Sequence, residues 1–149
     1  MSQNLKDPAQ EMELARKDLE EAEFALKHGR PRPACVFAYY AAFHAAQARI
    51  AKGEREAKSH RSVSLVIGEL YRDTDFPAQS MLSKLEARRE AVNYSKSVEP
   101  TIDEARQSVA DAAAIVERMI RDIGPIEPRK GIDPSVLQAL KNKGWGPGG

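Results

Sequence analysis

The stretch that most constrains the fold spans residues 34–51 and reads Ala-Cys-Val-Phe-Ala-Tyr-Tyr-Ala-Ala-Phe-His-Ala-Ala-Gln-Ala-Arg-Ile-Ala. Small and aromatic apolar residues cover nearly every side of it, and a helix that is apolar all round is enclosed by other helices. Its length approaches that of a membrane span, but His44, Gln47 and Arg49 argue against one. We therefore predict the central helix of a soluble bundle, with no membrane partner.

Composition limits the class of protein. A chain of 149 residues forms about one domain with a real core. Its net charge of +1 gives no general signature of nucleic-acid or membrane binding, although the middle of the chain is locally basic. The single cysteine, Cys35, excludes a disulfide framework, and the first seven residues lack the apolar stretch of a signal peptide. These features predict a cytoplasmic protein.

Four further stretches have helical periodicity, with predicted bounds of about 7–28, 60–71, 78–97 and 101–123. The last is the best defined, because Thr101 and Glu104 fit a capping box and Gly124 follows its last apolar position. No stretch shows strand-like alternation of useful length. We therefore predict an all-α fold, an antiparallel bundle of four to five helices.

Proline and glycine mark the connections. Arg30-Pro31-Arg32-Pro33 predicts a stiff connector before the central helix, with Pro33 opening that helix. After Gly124, several prolines and glycines indicate a linker, followed by a short helical pattern over 135–142. The predicted organisation is a bundle domain over residues 5–123, and a linker with a short C-terminal helix and tail over 124–149.

Two polar residues interrupt apolar patterns and are candidate site residues. His44 lies within the central helix, either as a satisfied core histidine or as part of a functional groove. Arg89 falls in an inward register of the fourth helix, and Arg88 takes that place if the row is counted from Met81. An arginine there snorkels, pairs with an acid or serves a site. Phosphate loops, nucleophile elbows and metal-ligand motifs are absent, so the sequence predicts no cofactor and no metal.

Three segments together resemble one protein family. Residues 39–46, Tyr-Tyr-Ala-Ala-Phe-His-Ala-Ala, resemble the Tyr-Tyr-Ala-x-Phe-His-Ala-Ala signature of small prokaryotic HEPN-domain proteins. Residues 58–63 are similar to the Ser-x-His-x-x-Val segment that follows the second helix in that group. Residues 89–94, Arg-Glu-Ala-Val-Asn-Tyr, resemble its Arg-x-x-Ala-Asp-Tyr segment with two mild departures. The order and spacing fit, and the resemblance covers about residues 5–123.

The resemblance implies a helical bundle that forms a homodimer. Many HEPN proteins are metal-independent ribonuclease toxins, often encoded beside a minimal nucleotidyltransferase that serves as antitoxin. Their motif is an arginine, a polar residue and a later histidine. Here Arg89 and Glu90 match, but Tyr94 stands in the histidine position. A phenol, with an ordinary pKa of about 10, is a poor base at neutral pH, so we do not expect a vigorous ribonuclease.

The function that the resemblance implies is a dimeric binding module of a toxin–antitoxin or defence-type system. Its partner would be a nucleotidyltransferase or another antitoxin, and it would also contact RNA or a nucleotide. Arg88, Arg89 and His60 are the candidate phosphate contacts. The alternative is a ribonuclease toxin that uses Arg89 with His44 or His60. His60 also ends an Arg-x4-His spacing that begins at Arg55, which we interpret as a chance match in a connector.

The polar candidates are expected to meet. Because a buried polar group without a partner costs about 1–3 kcal/mol, Arg89, Tyr94 and His44 are predicted to gather at one groove. Pairing among them, or with a bound phosphate, would satisfy each of them.

Overall fold

The structure is a computed structural model that describes residues 6–94 and 99–124. Within these ranges, helix is the only regular secondary structure. The five helices are α1 (Pro8–Lys27), α2 (Pro31–Lys52), α3 (His60–Tyr71), α4 (Ala78–Tyr94) and α5 (Ile102–Ile123). The predicted all-α bundle is confirmed. The end of the predicted fourth helix, residues 95–97, and the predicted short helix over 135–142 lie outside the described residues.

Helix α2 is the centre of the bundle, as predicted, and packs against each of the other four helices. Seven of its alanines have no exposed surface: Ala34, Ala38, Ala41, Ala42, Ala45, Ala46 and Ala48. A methyl side chain lets neighbouring helices approach closely, so the larger buried side chains, including Tyr39 and Ile50, supply most of the bulk of α2 in the core. No helix in the described part of the chain is long and apolar enough to cross a lipid bilayer.

Local capping chemistry fixes the ends of α3 and α5. The Ser59 side chain accepts a hydrogen bond from the Ser62 backbone N–H, and the Ser62 hydroxyl oxygen accepts one from the Ser59 backbone N–H. This capping box makes His60 the first residue of α3. Thr101 and Glu104 form the predicted capping box at the start of α5. Gly124 follows that helix with φ of 67°, a conformation that favours glycine.

The start of α2 differs from the prediction. The helix begins at Pro31, so the residues predicted as a connector form its first turn. The first four N–H groups of a helix have no acceptor within that helix, so prolines at its first and third positions lose no hydrogen bond. The prolines therefore do mark a helix start, but two residues earlier than expected.

Candidate functional site

The hydroxyl group of Tyr39 joins three helices. Tyr39 lies on α2 and only 1% of its surface is exposed. Its hydroxyl is hydrogen-bonded to Nδ1 of His60, the first residue of α3, and donates to Oε2 of Glu86 on α4 at 3.1 Å. We call the group around this hydroxyl the Tyr39 cluster, which consists of Tyr39, Tyr40, Phe43, His60, Glu86 and Arg89.

Helix geometry brings these side chains together. Tyr39, Tyr40 and Phe43 fall within two turns of α2, and the cap at Ser59 places His60 at the end of α3 that meets them. Glu86 and Arg89 are three residues apart on α4, so they share one face of that helix. The cluster therefore follows from the packing of three helices rather than from one contiguous motif.

Arg89 packs on tyrosine rings instead of an acid. Its guanidinium carbon lies 4.9 Å from the ring centroid of Tyr39 and 5.8 Å from that of Tyr40. Its Nε is buried and has no hydrogen-bond acceptor in the part of the chain that the structure describes. Over residues 6–94 and 99–124, no carboxylate lies within 4 Å of its guanidinium nitrogens. A cation held over aromatic faces keeps its fork of donors available to an anion.

His60 is the exposed member of the cluster. Its side chain is 44% exposed, its ring centroid lies 5.5 Å from that of Tyr39 and 4.7 Å from that of Phe43, and its Nδ1 is 3.8 Å from Glu86 Oε2. The imidazole borders a pocket of about 310 Å³ between α3 and α4, lined also by Arg61, Ser64, Leu65, Leu82, Ser83 and Glu86. A titratable ring thus stands between a buried hydrogen-bond network and an open pocket.

Tyr39 is held in its protonated form. Burial of its hydroxyl is the main cause that raises the pKa of Tyr39, and the neighbouring Glu86 carboxylate raises it further, while Arg89 lowers it. A phenol that keeps its proton remains a hydrogen-bond donor to Glu86.

His44 belongs to a different group of charges. Its Nδ1 lies 3.1 Å from Oε1 of Glu11 and its Nε2 lies 3.8 Å from Oδ2 of Asp18, both on α1. Burial raises the pKa of Asp18, and His44 partly offsets this. In the described ranges no hydrogen bond or ion pair joins His44 to Arg89. The expected grouping of His44 with Arg89 is corrected accordingly: acids on α1 satisfy His44.

Tyr94 does not join the Tyr39 cluster either. Its side chain is 78% exposed at the last position of α4. Five residues along a helix correspond to a rotation of about 140° around its axis, so Tyr94 and Arg89 point to different faces. The position that the family motif gives to histidine is therefore separated from Arg89 within this chain.

Arg88 has its own carboxylate partner. It is paired with Glu104 on α5, where α4 and α5 border a pocket. The hydrogen bond from the Thr101 backbone and the pairing with Arg88 both lower the pKa of Glu104. Of the two predicted arginines, Arg89 is the one without a carboxylate partner in the described structure.

Four members of the cluster were not predicted as site residues, namely Tyr39, Tyr40, Phe43 and Glu86, and two of them, Tyr39 and Glu86, are hydrogen-bonded to each other. Tyr39 was considered only as one residue of the enclosed stretch 34–51 and of the segment 39–46, although the polar tip of a tyrosine in an enclosed helix requires a partner. Glu86 was not singled out, although its spacing from Arg89 places it on the same face of α4. The sequence therefore contains a signal for Tyr39 and one for Glu86, but it does not show which residue each contacts across the bundle.

Comparison with known proteins identifies the family. No curated protein matches this chain. A family model for the HEPN domain matches residues 10–123, which extend from the first turn of α1 to the last residue of α5. The match includes all five helices and the whole Tyr39 cluster. The chain belongs to the HEPN-domain family.

Proposed function

We propose that this HEPN domain is a dimeric binding module of a toxin–antitoxin or defence-type system, and that its Tyr39 cluster binds phosphate groups of RNA or a nucleotide. The observation that supports this proposal is the contact of Arg89 and His60 with the same buried tyrosine. Arginine offers a planar fork of donors that matches phosphate oxygens, and histidine donates or accepts a proton near neutral pH.

Phosphate binding at Arg89 requires little rearrangement. The guanidinium is positioned by the rings of Tyr39 and Tyr40, so a ligand need not order a flexible side chain. A phosphate would not have to displace a carboxylate, as it would at Arg88, which is paired with Glu104. Arg89 is therefore our primary phosphate contact, with His60 beside it, and Arg88 is secondary.

Binding of labelled single-stranded and structured RNA, followed by fluorescence anisotropy, tests this proposal. Arg89→Ala should weaken binding at least tenfold, since charge-assisted hydrogen bonds contribute about 1.5–3 kcal/mol. His60→Ala should weaken it less, and His44→Ala is the matched control because the acids of α1 satisfy His44. Equal binding by wild type and Arg89→Ala would contradict the proposal.

The proposed assembly is a homodimer, which rests on the family. Light scattering at micromolar concentration should give twice the mass of the 16.5 kDa chain. A clean monomer would contradict the dimer and any cleft shared between protomers, but would leave phosphate binding by a single chain testable on its own.

The proposed partner, a nucleotidyltransferase or another antitoxin, also rests on the family. A nucleotidyltransferase gene beside this one, and co-purification of the two products, would support that partner. If the neighbouring products do not bind the chain, the toxin–antitoxin assignment is overturned.

A second function, a metal-independent ribonuclease, is favoured by the position of His60. His60 lies in the same cluster as Arg89, whereas His44 pairs with acids on α1. General acid–base assistance accelerates reactions by about 10²–10⁴-fold, and a phenol, with an ordinary pKa of about 10, is a poor base at neutral pH. We expect at most weak cleavage of RNA in chelator, abolished by Arg89→Ala or His60→Ala and unchanged by His44→Ala. Vigorous cleavage lost in both cluster variants would make the enzyme the primary function.

A further inference from the structure

The hydrogen bonds of the Tyr39 hydroxyl determine where its neighbours carry their protons. The hydroxyl has one proton, and its oxygen lies between Glu86 Oε2 and His60 Nδ1. An ionised carboxylate only accepts hydrogen bonds, so the hydroxyl proton is directed to Glu86. The tyrosine oxygen can then only accept from His60. Nδ1 of His60 must therefore carry a proton whether the ring is neutral or charged.

We propose that Glu86 and Tyr39 hold neutral His60 in its Nδ1–H tautomer, and that Nε2 is thereby a fixed acceptor for the 2′-hydroxyl of a bound ribonucleotide. This inference rests on the proposed function and names its ligand as RNA rather than DNA. Tyr39 and Glu86 are positioning residues in it, because they act through His60.

The surroundings of His60 suit this role. In the described ranges the only hydrogen bond of its imidazole is the one at Nδ1, so Nε2 is available for a ligand. The half-exposed ring borders the pocket between α3 and α4, which Ser64 and Ser83 also line. A neutral imidazole without such neighbours exists in both tautomers and presents either a donor or an acceptor at Nε2. In our proposal Tyr39 and Glu86 select the Nδ1–H tautomer, so Nε2 of the neutral ring is always an acceptor.

A fixed acceptor distinguishes the two nucleic acids. The ribose 2′-hydroxyl donates a hydrogen bond that deoxyribose cannot make, and it is the group by which proteins tell RNA from DNA. Arg89, in contrast, contacts a phosphate that both polymers carry. The cluster therefore separates the two tasks, with affinity for either nucleic acid from Arg89 and preference for RNA from His60.

The tautomer can be measured without any ligand. Two-bond ¹H–¹⁵N correlation spectra, recorded where the imidazole is neutral, should show wild-type His60 protonated at Nδ1. The Tyr39→Phe/Glu86→Ala double variant removes both neighbours and should show substantial protonation at Nε2. Tyr71→Phe is the control, since it deletes a hydroxyl that donates to a carboxylate elsewhere, and should leave His60 unchanged. Wild-type His60 protonated at Nε2, or a double variant still protonated only at Nδ1, would overturn the inference.

Binding of an RNA and a DNA of the same sequence tests the ribose assignment. The ratio of RNA affinity to DNA affinity should fall about two- to tenfold in the double variant, the range of one hydrogen bond, because loss of the Glu86 charge acts on both polymers alike. Equal loss for both polymers, or no RNA preference in wild type, would overturn it. If wild type binds neither polymer, the proposed function and the ribose assignment fail together. The measured tautomer of His60 then still shows whether Tyr39 and Glu86 position its ring. Glu86→Ala alone, at a half-exposed position, replaces the double variant if that protein does not fold.

Discussion

Two tyrosines in this bundle, Tyr39 and Tyr71, have nearly the same surroundings. Tyr39 and Tyr71 are both buried, and each hydroxyl donates to a carboxylate on another helix, Tyr39 to Glu86 at 3.1 Å and Tyr71 to Asp122 at 2.6 Å. Burial raises the pKa of both hydroxyls, and the neighbouring carboxylates add to that rise. Arginine also lies over each ring, Arg89 at 4.9 Å from Tyr39 and Arg118 at 5.6 Å from Tyr71.

The two groups differ in what lies beyond the carboxylate. Asp122 is already paired with Arg118 Nε, at 2.9 and 3.2 Å, so the Tyr71 network ends in an ion pair. Over residues 6–94 and 99–124 no arginine pairs with Glu86, and the Tyr39 hydroxyl also contacts the exposed imidazole of His60. The tyrosine–carboxylate hydrogen bond thus adjoins an internal ion pair at Tyr71 and an exposed imidazole at Tyr39.

A buried tyrosine–carboxylate bond is therefore not by itself a functional signal. An arginine over a tyrosine ring is not such a signal either. Arg49 lies 5.8 Å over Tyr71 and, like Arg89, has a buried Nε without an acceptor among the described residues. What distinguishes the Tyr39 cluster is the combination of an arginine without a carboxylate and a histidine at a pocket. The following predictions compare the two tyrosines.

The largest expected effect is shared. Tyr39→Ala and Tyr71→Ala should each lower the free energy of unfolding by about 3–5 kcal/mol, because each leaves a cavity the size of an aromatic ring. Urea denaturation measures the change. Tyr94→Ala is the control, at a 78% exposed position, and should cost well under 1 kcal/mol. A loss below about 1 kcal/mol for either buried tyrosine would show that the ring is not part of the core.

Alkaline pH should destabilise the protein through both tyrosines. Their pKa is raised in the folded state, while an unfolded tyrosine ionises near pH 10, so unfolding above about pH 10 releases protons. The free energy of unfolding should thus fall as pH rises beyond that value, with no contribution from these groups below it. Tyr39→Phe/Tyr71→Phe should show a shallower fall in urea denaturation between pH 9 and 11. An unchanged slope would contradict the raised pKa values, and exposed Tyr94→Phe serves as the control.

Deletion of one hydroxyl should have the smallest effect on stability and the clearest difference in function. Tyr39→Phe and Tyr71→Phe should each cost about 1 kcal/mol, the value of one hydrogen bond. RNA affinity should fall only for Tyr39→Phe, since Asp122 stays paired with Arg118 in the other variant. Parallel loss of RNA affinity in both variants would remove the distinction between the two groups.

Local chemistry made much of the fold predictable. The capping residues Ser59 and Thr101 and the stop at Gly124 are short-range signals, and α3 and α5 have their predicted bounds. The start of α2 was misplaced because prolines suit both a connector and the first turn of a helix. The enclosed α2 was identified without knowledge of its neighbours, because apolar residues cover nearly every side of it.

The site was less predictable because its bonds cross the bundle. Arg89 was found because it interrupts an apolar row, but the partner of a buried polar group is set by the packing of helices distant in sequence. Hence His44 was expected near Arg89 and pairs with Glu11, while His60, predicted at the start of the third helix, contacts Tyr39 across the bundle. Residues 125–149, with the predicted tail, lie outside the described structure.

The salt dependence of RNA binding by two matched variants tests the central claim most directly. Arg89→Met and Arg49→Met each remove one charge from an arginine over a tyrosine ring while keeping an apolar side chain. The slope of log affinity against log salt should decrease in magnitude by about 0.7 for Arg89→Met on single-stranded RNA, the value of one lost phosphate contact, and should not change for Arg49→Met. Equal slopes in wild type and Arg89→Met, or the larger change in Arg49→Met, would contradict phosphate binding at the Tyr39 cluster.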